Sequence, residues 1–306
     1  MASTTAWPAL PFADWKDTCE TFHLWTQIVG KIRLAQAPPI NHWWQVVLYS
    51  APHGLTTSSI PYGARGTFQI DFDLLHDALR IETSQGSRRE IPLRPMSVAA
   101  FYHEVMAALK ALGLDVTILP RPVEIADGIP FERDETHGAY DGEALRRFSR
   151  VLEQSTRVMT EFRARYLGKS SPPHLFWGAL DLAVTRFSGR PAPDHAPVPF
   201  TPLHVVREAY SHECSSAGFW PGSAASPTPV FYAYAYPEPP AFREHPIAPD
   251  QAFYSPEMSE FFLPYDAVRT SRDPDAMLMD FLQSTYEAAA IRGKWDRAAL
   301  ERPPEA

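Results

Sequence analysis

Cysteine is scarce: Cys19 and Cys214 are the only two in 306 residues. Two thiols make no disulfide framework, so a stapled secreted scaffold is excluded and a reducing, cytoplasmic setting is expected. Positive charge is also short. The 28 Lys and Arg face 36 Asp and Glu, giving a net charge of −8 and a pI of about 5.8. That argues against a protein gripping nucleic-acid backbone, since counterion release needs a basic face. No apolar run reaches the roughly 20 residues a membrane span requires. Residues 1–11 lack the basic-then-apolar order of a signal peptide.

Short catalytic motifs are missing as well. The 11 histidines include no His-x-x-x-His and no His-Glu-x-x-His, and there is no Cys-x-x-Cys, so no metal pattern stands out. A phosphate loop, a dinucleotide glycine fingerprint and Gly-x-Ser-x-Gly are all absent. The sequence therefore names no cofactor and leaves the oligomeric state open.

Aromatics and proline are plentiful. There are 8 Trp, 12 Tyr, 18 Phe and 31 Pro, and the prolines gather in clusters, as in ordered folds joined by stiff loops. Phe22, Trp25, Ile28, Val29 and Ile32 recur at helical spacing and predict a helix over 15–35, stopped by Pro38–Pro39. Strands are predicted at 42–49, 55–60, 69–75, 79–83 and 91–93. In the third, Ile70, Phe72 and Leu74 alternate with Asp71 and Asp73, the pattern of a half-buried antiparallel strand. Ser97 caps a helix over 98–112 that Gly113 stops, and a strand is predicted at 115–119.

The order then returns. A helix over 143–167 precedes Pro172–Pro173, an aromatic strand over 174–187 and further strands at 210–216, 231–236 and 261–264. Asp273 caps, and Pro274 opens, a last helix over 275–291. The expected fold is α+β, in two pseudo-repeated halves, each an antiparallel sheet with flanking helices. The halves are 1–120 and 142–306, with a linker over 121–141. A single α+β domain with the same element order is the other reading. Long proline-rich loops at 188–208 and 237–256 flank only the strands of the second half, which places any site there.

Seven segments carry a resemblance: Trp7 to Pro11, His23 to Gln27, Asn41 to Trp44, Phe176 to Gly178, Ser211 to Gly222, Phe231 to Pro237 and Leu263 to Asp266. Together they resemble a bacterial family catalogued as domain of unknown function 5996. The resemblance covers nearly the whole chain. It implies a single, cytoplasmic unit and carries over no activity, cofactor or site residue.

Candidate residues concentrate in the second half. As a strand, 210–222 sets Ser211, Glu213 and Ser215 on one face and His212 and Cys214 on the other. A metal shared by His212 and Glu213 therefore needs a bulge. The plainer reading is a strand with a satisfied histidine. Cys214 reads either as a thiol nucleophile beside His212 or as an inert buried cysteine. Trp177, Asp181 and Thr185 are expected on one face, opposite Leu180, Leu182 and Val184. An acid among small residues suits a concave ligand-facing surface, and also plain solvent. Arg186 and Arg190, with Ser188 and Gly189, suit a carboxylate or phosphate, or a surface loop. Tyr232, Tyr234 and Tyr236 share a face that suits a sugar, a nucleobase or an aromatic ligand, or packing beneath a helix.

The leading expectation is a small polar, partly aromatic ligand bound in a cleft of the second half. Asp181, His212 and Glu213 are its acid–base residues, and Trp177, Arg186, Ser215, Tyr232 and Tyr234 its contacts. A non-catalytic protein–protein or scaffold module is the rival. A third reading is a mononuclear metal enzyme using His212, Glu213 and a ligand from His174 or Asp181.

Overall fold

The computed structural model describes residues 6–303. Helix α1 (Lys16–Gln36) leads into a 3-10 segment, Asn41–Val46, and the first sheet. That sheet holds β1 (Tyr49–Ala51), β2 (Gly54–Thr56), β3 (Ile60–Pro61), β4 (Thr67–Asp73), β5 (Ala78–Thr83) and β6 (Arg88–Pro92). Its order is β1-β2-β4-β5-β6, with β3 also paired to β4. Helix α2 (Val98–Ala111) follows, then the linker, then α3 (Gly142–Ala164). The second sheet is built from β7 (His174–Phe176), β8 (Asp181–Pro191), β9 (His212–Trp220), β10 (Val230–Tyr236), β11 (Phe253–Ser255) and β12 (Glu260–Pro264), in the order β11-β12-β10-β9-β8-β7. Helix α4 (Leu203–Ala209) interrupts the loop before β9, and α5 (Tyr265–Thr270) and α6 (Pro274–Arg292) close the fold. Every pairing between these strands is antiparallel. The α+β class with two antiparallel sheets and flanking helices is therefore observed. No described helix is long and apolar enough to cross a membrane.

The helix ends follow from local chemistry. The Ser97 hydroxyl accepts from the Ala100 N–H at 3.1 Å, and the Asp273 carboxylate from Ala276 at 3.0 Å. Asp141 accepts from Glu143 and Ala144 at the start of α3. Gly113, at φ +74°, turns the chain out of α2 in a conformation that L side chains resist.

The two sheets meet edge to edge. Leu48 and Leu175 exchange backbone hydrogen bonds of 2.9 and 2.8 Å. Helix α3 crosses this seam on the covered side. Near its start Phe148 packs on Trp15 and Phe22 of the first half; near its end Phe162 packs on Arg186 and Tyr286 of the second. The first sheet is covered on one side: Phe68, Ile70 and Phe72 are buried, while Gln69 and Asp71 are half-buried. In the second sheet both faces are covered, since Leu182 through Phe187 and Cys214 through Phe219 are all buried.

Three expectations change. The strand expected over 174–187 is a hairpin, because residues 177–180 turn, with Leu180 at φ +57°. The strand expected at 42–49 is mostly the 3-10 segment, where His42 and Trp43 hold φ of +60° and +61°. Residues 115–119 form no strand; Val116 and Ile118 are buried in extended chain.

Candidate functional site

The second sheet has one face under α3, α5 and α6 and a second face that looks away from them. On this second face the register aligns Ala183, Gly218 and Tyr232 in one row, then Thr185, Ser216 and Tyr234, then Phe187, Cys214 and Tyr236. Asp181 lies two residues before Ala183 on β8. The Tyr232 hydroxyl crosses over Gly218 and donates to the Asp181 carboxylate. Gly218 makes this reach possible, since a Cβ there would overlap the Tyr232 ring and hydroxyl. The polar groups continue along the face. Thr185 and Ser216 hydroxyls lie 2.9 Å apart, as do those of Tyr234 and Tyr210. His195, from the proline-rich loop, lies over Tyr210 and Tyr236 at ring distances of 4.7 and 4.5 Å.

Two more carboxylates belong to this face. Glu260 opens β12; Tyr232 faces Phe262, so Tyr234 comes level with Glu260. Glu124 arrives from the linker. Its segment is clamped by Gln27 of α1, whose amide donates to Val123 O at 3.0 Å and accepts from Val123 N at 2.8 Å. Glu124 itself holds φ +58°, and a Cβ on Gly178 would overlap its carboxylate. Leu180 and Glu124, the residues that aim Asp181 and the third acid, thus both occupy the left-handed region. Strained backbone of this kind persists where surrounding contacts over-determine it. His23 supplies part of that restraint through Nε2, 3.0 Å from Trp177 O and 2.8 Å from Gly178 O.

The electrostatics follow from enclosure. Burial pushes the Asp181 carboxyl up to about 6 against the opposing hydrogen bond from Tyr232. Glu124 and Glu260 are each pushed up to about 7, first by burial and then by the charge of Asp181. Tyr232 and Tyr234 are held well above the ordinary phenol value by burial. Asp181, Tyr234, Tyr210 and Glu260 nonetheless keep partial solvent exposure and sit where the covered face meets solvent. The Glu124 residue as a whole is exposed, so the burial that raises its carboxyl is local to the carboxyl end, against Gly178.

Of the residues singled out in the sequence, Asp181, Tyr232 and Tyr234 come together here. His212 shares the face but lies at its far end, 3.1 Å from the Ser211 hydroxyl and beside the His42 ring. There Lys169 donates to His42 Nε2 at 2.7 Å, and His42 Nδ1 donates to Ala209 O at 2.9 Å. Glu213 projects to the helix side, bound by Arg190 at 2.6 Å and Ser188 at 2.9 Å; Arg190 also holds Gly293 O at the end of α6. Arg186 and Ser215 pair across the strands on that same helix side and are buried. Trp177 turns into the core, donating to Val46 O at 2.7 Å with its ring against Gly30. Asp181, His212 and Glu213 therefore do not converge, because the period of two sends Glu213 through the sheet while His212 ends four residues beyond Ser216.

A metal shared by His212 and Glu213 is ruled out by the same opposition. His174 is buried against Phe176 and Trp44, neither ring nitrogen has a partner, and burial followed by the nearby Arg33 pushes its pKa down to about 3. Among the described residues the one trio with metal-ligand proximity is His53, Asp73 and His76, with donor atoms within 4.8 Å of one another. Its central carboxylate is already engaged by Arg80 and His76. Cys19 and Cys214 are both free and buried, and burial pushes the Cys214 thiol up to about 12, which leaves no thiolate at neutral pH.

Glu124 and Glu260 were not distinguished as site residues by sequence reasoning, and Tyr210 and Gly218 only as members of the candidate segment 210–222. Glu124 lies in a linker with no periodicity to read. Glu260 could have been found from its place two residues before Phe262 on an alternating strand. A model of a family of unknown function (DUF5996) matches residues 7–302. No curated protein and no solved structure matches the chain.

Proposed function

We propose that this chain, which belongs to the family of unknown function DUF5996, binds a small, ring-bearing, polar molecule on the tyrosine-bearing face of its second sheet and exchanges protons with it. One observation carries the reading: Asp181 and Glu260 are gathered with Tyr232, Tyr234 and Tyr210 on one partly covered face, with the exposed Glu124 beside Asp181. Tyrosine faces offer flat apolar area, and their hydroxyls and the carboxylates offer hydrogen bonds, which suits a sugar or a nucleoside.

All three carboxyls are pushed up towards neutrality, Asp181 to about 6 and Glu124 and Glu260 to about 7, so each can take or give a proton near pH 7. Tyr232 holds the Asp181 carboxylate in place. A cytoplasmic setting belongs to the same reading and rests on the two free thiols.

The test is a thermal-shift and NMR screen of monosaccharides and nucleosides against the protein and Asp181→Asn. Ligands should perturb resonances of Tyr232, Tyr234 and Tyr210, and the variant should bind at least about tenfold more weakly. Ligands that perturb only other surfaces would refute the site.

A further inference from the structure

The helix side of the second sheet carries a separate feature. A cavity of about 1110 Å³ opens at the C-terminal end of α3 and against α6. Its lining includes five arginines and two glutamates, in a protein whose net charge is −8. Arg297 is paired with Glu287 and Glu301. The other four, Arg163, Arg165, Arg186 and Arg302, make no ion pair among the described residues. Arg186 forms the floor and is 1% exposed; the other three are exposed.

Arg186 is held in a cage. Its guanidinium carbon lies 3.4, 4.3 and 4.9 Å from the ring centres of Phe162, Tyr286 and Tyr166. One nitrogen donates to Phe162 O, and Nε has no hydrogen-bond partner. The rings fix the guanidinium plane through cation–π contact, but they supply no countercharge. Burial lowers the pKa of Arg186 to about 10, so it remains cationic at neutral pH, with the charge of Arg165 acting in the same direction.

A helix C-terminus draws cations by itself, and Arg302 does donate to Ala164 O at 3.1 Å. That role occupies Arg302 and one nitrogen of Arg186. The same attraction accounts for Arg163 and Arg165, in the last turn and at the C-cap of α3, but it leaves the buried Arg186 Nε unsatisfied beside a cavity large enough for a ligand. We infer that this cavity is an anion site for a phosphoryl-bearing small molecule, with Arg186 at its base and Arg163, Arg165 and Arg302 at its mouth. Several arginines lining one cavity from different elements offer more donors than a single carboxylate uses and match the many oxygens of a phosphoryl group. The cavity, about 1110 Å³, has room beyond a single phosphate and accommodates an ester or a pyrophosphate.

The site is independent of the tyrosine face, which lies across the sheet. The test is calorimetric titration of the full chain with pyrophosphate at constant ionic strength, with inorganic phosphate and citrate as comparison probes. Saturable, one-to-one pyrophosphate binding, tighter than either comparison probe, is expected. Arg165→Gln with Arg302→Gln should weaken it by at least about tenfold while leaving the fold and the unliganded melting temperature in place, because both side chains are exposed. Arg186→Lys keeps the charge, loses the fork, and should weaken binding to a similar degree. If Arg186→Lys does not fold, the double variant decides. Absence of saturable binding, equal binding by the double variant, or citrate bound more tightly than pyrophosphate would overturn the assignment.

Discussion

At Asp181 two demands compete. Enclosure disfavours its charge, while the Tyr232 hydroxyl favours it, and burial wins. A carboxyl whose folded pKa lies above its unfolded value stabilises the fold most when protonated. That contribution is complete below the unfolded value near 4 and is lost as pH rises through about 6. Asp181→Asn keeps an acceptor for Tyr232 and removes the ionisation penalty. The variant should therefore melt higher than the parent at pH 8, by roughly 1–3 kcal/mol, with the gap closing towards pH 4. Melting curves across that range check it, and a gap that widens towards acid would contradict it. Asp181 and the tyrosine stripe were legible because period-two alternation fixes which side chains share a face. Sequence alone could not say which face lies under the helices, so Glu213, Ser215 and Arg186 were grouped with residues whose face they turn away from.

Single elements owe their placement to a few close contacts. On α1, Gly30 lies against the Trp177 ring, which is pinned by its bond to Val46 O. Gly30→Ala gains about 1 kcal/mol of helix propensity. Overpacking against a fixed ring costs about 1–3 kcal/mol or more. The net effect should be a lower denaturation midpoint at unchanged slope. Three residues earlier, Gln27 clamps Val123 by two hydrogen bonds and is fully buried. Gln27→Ala strands that backbone at a cost of about 1–3 kcal/mol. It should also free Glu124, whose titration, followed by carboxyl NMR, should fall from about 7 towards the ordinary carboxylate range. An unchanged Glu124 midpoint would show that the clamp does not position it. Caps at Ser97 and Asp273 were readable, since they are set within three residues of chain. The turn at 177–180 was not, because the aromatic and β-branched run on either side of it gives no break except Gly178.

Over the whole molecule, the two halves share an order of helix, antiparallel sheet and helix, and duplication is the reading that order suggests. Superposition of the two sheets with their following helices is its test, and opposite helix faces would defeat it. Whatever its origin, the chain does not divide where the linker suggests. Phe131 of the linker is fully buried, and Asp134 O accepts from Ala99 N at the start of α2. Trp7, near the first helix, packs on Phe231 and Tyr265 of the second half. Helix α3 spans the seam between sheets, and Leu48 and Leu175 join them by backbone bonds. Separating the halves would expose both sides of that seam and strip Trp177 of Gly30. The structure therefore implies one cooperative unit. Calorimetry should give a single transition whose calorimetric and van't Hoff enthalpies agree. Residues 142–306 expressed alone should fail to reach a cooperative fold. Two resolved transitions, or a stable isolated second half, would mean that the interface is a docking surface between two independent domains.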